Sequence, residues 1–202
     1  GVAKDETEAA QLYRLSADQG DPGAQINLGL CYARGRGVAK DEAEAVRLYC
    51  LSADQGHARA QFNLGVCYEF GTGVATAVTE AVRLYRLSAD QGNADAQINL
   101  GLCCAHGTGV AKDEAEAARL YQLSADQGDP DAQFYLGLCY AHGTGVAKDE
   151  TEAVRFYRLG ADQGHARAQF YLGVCYQKGT GVAKDETEAV RLYRLSADQG
   201  NA

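Results

Sequence analysis

Apolar and polar positions along this chain follow a pattern that repeats at a fixed interval. Val2 and Val38 lie 36 residues apart, and the same step continues through the chain. Two further landmarks keep this interval without insertion or deletion: Leu28, Leu64, Leu100, Leu136 and Leu172, and Gly20, Gly56, Gly92, Gly128, Gly164 and Gly200. Such a period is typical of arrays whose copies are small supersecondary units, so we expect a single repeat domain over residues 1–202.

Residues 21–56 form one copy, and its first half predicts an amphipathic helix. Apolar side chains fall on one helical face at spacings i, i+4, i+7 and i+8, at Ala24, Leu28, Cys31 and Tyr32. We expect the helix to run from Pro22 to Arg34, because the fixed backbone angle of proline suits a first helical position. Gly35 then provides the left-handed turn that closes a helix.

A second helix is predicted in the other half of the copy. Asp41 and Glu44 form an acidic capping pair, with both carboxylates near the positive end of the helix dipole. The inner face of this helix consists of Ala45, Leu48, Tyr49 and Ser52. Neither helix can bury its apolar stripe alone, so we expect the hairpins to stack on one another.

Two irregular features carry further expectations. Gly29 and its equivalents lie inside the first helix, where glycine costs about 1 kcal/mol relative to alanine. We expect this cost to be offset by close crossing with the second helix at Ala45. In the third copy Ala77 replaces the capping aspartate, and we expect Thr76 to act as a weaker cap for a helix over residues 77–91.

Composition excludes several classes of partner. A net charge of −8 argues against a general nucleic-acid or anionic-membrane binder, because both rely on clustered basic residues. No apolar run approaches the roughly 18 residues of a membrane span, so we expect no membrane insertion. There is no methionine, even at position 1, and we expect the chain to be an excised or processed piece of a longer protein.

Four motifs recur together in register: A-x-x-x-L-G-x-x-Y, G-x-G-V, D-x-x-E-A and a closing A-D-Q-G. This pattern resembles the Sel-one-like repeat family, which is related to the tetratricopeptide repeats, and the resemblance covers essentially the whole chain. It implies an all-α fold, a right-handed α-solenoid of antiparallel helix pairs whose first helices line a concave surface. It also implies an adaptor that holds other proteins, with no shared catalytic residues.

The predicted unit boundaries follow the repeat. Residues 1–20 form a partial unit with the second helix only, and residues 201–202 start a further unit. The five full units are 21–56, 57–92, 93–128, 129–164 and 165–200.

Of the seven cysteines, those that keep the repeat interval are predicted to be small buried hydrophobes rather than partners in disulfides. Five keep the repeat interval, at Cys31, Cys67, Cys103, Cys139 and Cys175. Stacked helices pack about 10 Å apart, and a disulfide needs Cα atoms within about 7 Å. The two extra cysteines are Cys104 and Cys50, and we expect an exposed thiol at Cys50. Unpaired cysteines favour a reducing compartment such as the cytoplasm, although the compartment stays open.

Catalytic, metal and cofactor sites are not expected. His106 and His142 occupy matching places on adjacent units, too far apart to share a zinc ion. The Gly107-Thr108-Gly109 turn follows a helix, whereas a dinucleotide fingerprint follows a strand. The periodic serines sit at a small packing position, and a nucleophile in every unit is implausible. We therefore expect a protein that is not an enzyme and has no cofactor.

Variation between copies points to a protein-binding surface. The variable positions of the first helix, which we call the candidate face, would turn toward the concave groove of a tetratricopeptide-like stack and bind a peptide or helix of a partner. From the start of the helix to its end they are Arg59, Asp95, Asp131 and Arg167; Phe62, Phe134 and Phe170 with Ile26 and Ile98; Asn27, Asn63, Asn99, Tyr135 and Tyr171; and Arg34, Phe70, His106, His142 and Lys178. Asparagine amides suit a peptide backbone, and aromatic rings supply anchoring area. For the phenylalanines, packing between units is an equal alternative.

Two other roles stay open at this point. The outermost helices, around Leu12 and Leu192, lack polar caps, so arrays could join end to end as a structural assembly. The regularity of the copies also fits an engineered or selected repeat fragment.

Overall fold

A computed structural model describes the backbone of residues 2–200 and the side chains of residues 5–200. This range consists of helices and turns, without a strand. The helices are α1 (Val2–Ala17), α2 (Pro22–Arg34), α3 (Glu42–Asp54), α4 (Ala58–Phe70), α5 (Val78–Asp90), α6 (Ala94–His106), α7 (Glu114–Asp126), α8 (Pro130–His142), α9 (Glu150–Asp162), α10 (Ala166–Lys178) and α11 (Glu186–Ala197). The predicted start of a further unit at 201–202 lies outside the described residues.

The predicted all-α fold of repeated helix pairs is confirmed. The chain forms two compact units, one of Gly1–Ala96 with Thr108–Val110 and the other of Gln97–Gly107 with Ala111–Ala202. In the first unit α1 packs on α2, α2 on α3, α3 on α4 and α4 on α5. In the second unit α7 packs on α8, α8 on α9, α9 on α10 and α10 on α11.

Capping residues set the helix ends as predicted. The Asp41 carboxylate accepts a hydrogen bond from the Glu44 backbone N–H at 3.0 Å, and Gly35 ends α2 in the left-handed conformation. The Glu44 carboxylate does not complete a reciprocal capping box. It pairs instead with both Nε and Nη2 of Arg47, at 2.8 and 2.7 Å, because a residue three positions on lies on the same helical face.

The glycine inside each first helix packs against a tyrosine ring of the second helix rather than against an alanine. A Cβ atom on Gly137 would lie 2.6 Å from the Tyr157 ring, far inside van der Waals contact. The expectation that Ala45 and its equivalents would be the opposing residues is therefore incomplete, since the larger tyrosine four residues later fills the space. The glycine allows a flat ring to lie directly on the helix backbone.

Buried polar side chains connect successive helices at the repeat interval. Ser52 is fully buried and donates a hydrogen bond to the Pro22 carbonyl at 2.9 Å. Gln55 Nε2 donates to Gln25 Oε1 at 2.9 Å. Because these groups would be costly to bury unpaired, the bonds constrain the register of α2 against α3.

All seven cysteines are free thiols; of the five periodic ones Cys67, Cys103 and Cys139 are buried as predicted, whereas Cys31 and Cys175 are only partly buried. Cys50 is partly buried and packs against the core cluster that includes Cys67 and Leu64, so the expected exposed thiol is wrong. The α3–α4 packing covers it.

The α5 helix starts without a side-chain cap. Ala77 occupies the capping position, and its neighbour Thr76 does not take over the role as expected. With no insertion to shift the register, Thr76 stands one residue too early, and its hydroxyl lies over Gly71.

Restoring the missing cap should stabilise the protein. We expect Ala77→Asp to raise the free energy of unfolding by about 1 kcal/mol, because the carboxylate would accept a free N–H of the first turn. Urea denaturation measures the gain, and amide exchange at residues 78–81 should slow with it. Ala75→Asp adds the same charge two residues earlier as a control. An equal gain from both variants would contradict the capping explanation.

Candidate partner-binding face

The candidate face is unevenly accessible. Its first and last rows are exposed, at Arg59, Asp95, Asp131 and Arg167 and at Arg34, Phe70, His106, His142 and Lys178. Phe70 is 71% exposed, more than any other large apolar side chain among the described residues. These rows are available to a partner in each unit.

The middle row is partly buried, at Asn27, Asn63, Asn99, Tyr135 and Tyr171. Asn63 stands out because its Nδ2 atom is buried and has no hydrogen-bond partner. A buried amide donor without an acceptor costs about 1–3 kcal/mol, so an acceptor brought by a ligand would be favourable there.

The phenylalanine row divides between core and surface. Phe134 is fully buried, so this residue belongs to the core and is withdrawn from the candidate face. Ile26 and Ile98 are buried in the same way, and Phe62 is partly buried. Phe170 remains 40% exposed because no described helix covers that side of α10.

Positive charge lies close to the face in the first unit. Burial raises the pKa of Tyr49 to about 12, and the guanidinium groups of Arg34 and Arg59 oppose that rise. Their effect on Tyr49 places both cations near its hydroxyl. Positive charge is therefore exposed on this part of the face, at the end of α2 and the start of α4.

In the second unit, two side chains of the candidate face, Arg167 and Asp131, are held by contacts with an aromatic ring and a histidine. The Arg167 guanidinium lies 4.3 Å from the centroid of the Phe134 ring, a cation–π contact. His165 Nδ1 accepts the Ala168 N–H at 3.1 Å, which leaves Nε2 to donate to Asp131 at 2.9 Å. Sequence reasoning missed this pair, although His165 directly precedes a helix, where capping residues stand.

Two periodic cysteines, Cys67 on α4 and Cys139 on α8, are buried. Burial raises the pKa of the Cys67 and Cys139 thiols to about 11, so neither is an ionised nucleophile at neutral pH. No group of three or more metal-ligating side chains occurs among the described residues. None of the described helices is both long and apolar enough to cross a membrane.

Comparison with known families gives a match along the repeats. The Sel1 repeat profile matches six successive segments, at residues 1–21, 22–57, 58–93, 94–129, 130–165 and 166–201. The last five segments begin one residue later than the predicted full units, whose boundaries stay a prediction. Proteins of this family are generally non-catalytic scaffolds for protein interactions.

Solved structures share the fold. A Sel1 repeat protein from Oxalobacter formigenes is 39% identical with a TM-score of 0.93, and the match covers 98% of this chain and 79% of that one. A protective antigen of uropathogenic Escherichia coli strains is 37% identical with a TM-score of 0.89, over 96% of this chain and 42% of that one. An immunity protein from Pseudomonas aeruginosa is 25% identical with a TM-score of 0.59, over 94% and 74%.

Comparison with curated protein sequences found no match. The family profile, however, spans residues 1–201, and the fold agrees closely with that of a 39% identical Sel1 repeat protein. This chain therefore belongs to the Sel1 repeat family.

Proposed function

We propose that the protein is a non-catalytic scaffold that binds a peptide or helix of a partner protein on the candidate face. The proposal concerns the exposed surfaces of the first helices, α2 and α4 in the first unit and α8 and α10 in the second. It is supported by the general role of Sel1 repeat proteins and by the side chains on these helices.

One observation carries the proposal: the buried, unpaired amide of Asn63 lies on the same helix as the exposed Phe70. The two residues are seven positions apart, which puts them on one side of α4 two turns from each other. An amide donor can bond a backbone carbonyl of a peptide, and the phenylalanine ring can anchor an apolar side chain beside it. Arg34 and Arg59 favour a peptide with acidic residues.

A double variant tests this surface. A random peptide library selected on the wild-type protein supplies the probe, and fluorescence anisotropy measures the Kd of the selected peptides. We expect Asn63→Ala with Phe70→Ala to weaken binding at least about tenfold, because a central aromatic anchor and a buried hydrogen bond are both lost.

Leu87→Ala is the control for loss of exposed apolar surface. Leu87 is 39% exposed on α5, a second helix outside the candidate face. It should leave the Kd unchanged, and circular dichroism should show the same helix content in all three proteins. Unchanged binding by the double variant would refute the proposed surface.

A second candidate function is end-to-end association. Val190 on α11 is 48% exposed, whereas Val154, at the same place in α9, is 4% exposed. Leu12 on α1 is 60% exposed, and its equivalent Leu48 is 2% exposed. Apolar positions that are covered inside each unit are therefore open to solvent on these helices, and such surfaces favour association.

Light scattering separates the two candidates. End-to-end association makes the particle grow with protein concentration, and Val190→Glu should prevent that growth. A particle of constant size in the wild-type protein would leave peptide binding as the supported function.

A further inference from the structure

The hydroxyl of Tyr157 in the second unit is buried without a hydrogen-bond partner. The residue is 1% exposed, and its Oη atom is among the buried polar atoms of the described residues for which no acceptor or donor is found. Its ring lies on Gly137, which fixes the direction of the hydroxyl. A buried hydroxyl without a partner is costly and rare, so its surroundings are informative.

Two equivalent tyrosines do have partners. The Tyr85 hydroxyl donates to Glu69 Oε2 at 2.5 Å, and the Tyr193 hydroxyl donates to Gln177 Oε1 at 2.9 Å. In both pairs the acceptor precedes the tyrosine by 16 residues, near the end of the first helix. The three rings share one orientation, because Tyr85 lies on Gly65 and Tyr193 on Gly173 as Tyr157 lies on Gly137.

At the corresponding place before Tyr157 the chain has Ala141. Its methyl group accepts no hydrogen bond, so the helix pair α8–α9 lacks the carboxylate or amide oxygen that bonds Tyr85 and Tyr193. Alanine also precedes Tyr49 and Tyr121 by 16 residues, but of the tyrosine hydroxyls in the described residues only that of Tyr157 is both buried and unpaired. Ala141 is itself only partly buried. The site is thus a tyrosine donor beside the candidate face that has no acceptor among the described residues.

The tyrosine hydroxyl is a donor at neutral pH. Burial raises the pKa of Tyr157, so its hydroxyl stays protonated and remains a donor at neutral pH. The groups that influence it are Cys175, Tyr171 and Cys139, none of which is a carboxylate. Charges of both signs act on the neighbouring Cys175: burial and then the Glu150 carboxylate raise the pKa of its thiol, and the Lys178 ammonium lowers it.

We propose that the Tyr157 hydroxyl forms a subsite for a carboxylate side chain, Asp or Glu, of the bound partner peptide. The carboxylate oxygen accepts the Tyr157 O–H in the place that Glu69 fills for Tyr85. Tyr171, partly buried with its ring centroid 5.6 Å from that of Tyr157, turns aside to admit it. The inference rests on the proposed function, because it names the chemistry of the same partner.

Ala141 offers a direct test, since a longer side chain there would provide the acceptor within the chain. Peptides are selected from a random library on the wild-type protein and sequenced, and their Kd is measured for each variant. We expect selected peptides that reach this subsite to be enriched in Asp or Glu. Ala141→Gln and Tyr157→Phe should each weaken their binding about tenfold, as expected for a hydrogen bond to a charged group.

Ala141→Gln is neutral and copies Gln177, so it can weaken peptide binding only by occupying the Tyr157 hydroxyl. A glutamate at this position would also repel an acidic peptide by its charge. Tyr85→Phe is the matched control, since its hydroxyl is already bonded to Glu69 and should not contribute to binding. Equal binding by wild type, Ala141→Gln and Tyr157→Phe, or no enrichment of acidic residues, would overturn the carboxylate subsite and leave the proposed function standing. Failure to select any peptide on the wild type would overturn the proposed function itself.

Stability gives a second readout that needs no partner. Ala141→Gln should raise the urea midpoint, because it pairs the Tyr157 hydroxyl, and Tyr157→Phe should not lower it. Tyr85→Phe should lower the midpoint, because it leaves Glu69 without its donor. A drop for Tyr157→Phe as large as that for Tyr85→Phe would show that the hydroxyl already has a partner in the chain.

Discussion

Replacing Phe134 with alanine is expected to lower the free energy of unfolding by about 3–5 kcal/mol, the usual cost of removing a buried aromatic ring. Phe134 is fully buried, and its ring lies 6.1 Å from the Tyr157 ring and 5.3 Å from the Tyr171 ring, measured between centroids. Truncation leaves a cavity among these rings and removes the surface on which Arg167 rests. Urea denaturation followed by circular dichroism measures the change.

Phe170→Ala is the matched control, because Phe170 occupies the same repeat position one copy later. Its ring is 40% exposed, so we expect a loss of only about 1 kcal/mol. Similar losses for the two variants would mean that Phe134 is not enclosed by its neighbours. The Phe134 ring would then again be a candidate for contact with a partner.

Replacing Gly145 with alanine is expected to cost about 3 kcal/mol or more. The residue has φ +72, where an L side chain is strained by about 1–2 kcal/mol. In addition, its new Cβ would lie 1.9 Å from the Glu114 carbonyl oxygen, a backbone atom that cannot move aside as a side chain does. The turn after α8 would have to withdraw from the start of α7, and crowding of this kind adds about 1–3 kcal/mol.

Gly164→Ala separates the two contributions. Gly164 also has a positive φ, +86, but no atom lies within 4 Å of the position that a Cβ would take. We expect this variant to lose only the conformational part, about 1–2 kcal/mol. If Gly164→Ala were as destabilising as Gly145→Ala, the close approach of the turn to α7 would not be the cause.

Much of the fold could be predicted because its determinants are local. The span of α2, from Pro22 to Arg34, follows from the proline at its start, the apolar spacing within it and the glycine after it. The caps at Asp41 and its equivalents need only the residues of one turn. At the uncapped α5 the same local reasoning identified the missing aspartate but wrongly assigned its capping role to Thr76. A side chain caps a helix only from the N-cap position itself, and Thr76 stands one residue before it.

The candidate face could be predicted only as a set of positions. Variation along the first helices pointed to exposed rows, and the outer rows are exposed. It could not decide whether Phe134 and Phe170 differ, since both follow the same glutamine and precede the same tyrosine. Their exposure depends on whether a neighbouring helix covers them, which lies outside the local pattern.

By itself, the sequence determined the period, the helices, their caps and the family, because these depend on spacing within one copy or between identical copies. Only the tertiary structure decided which equivalent residues are buried and which polar groups lack partners. Tyr85 and Tyr157 have the same place in the repeat, yet one bonds to Glu69 and the other, opposite Ala141, bonds to nothing in the described chain. The physical reason is that burial and hydrogen bonding depend on what a second helix brings within about 3 Å, and that helix is remote in sequence.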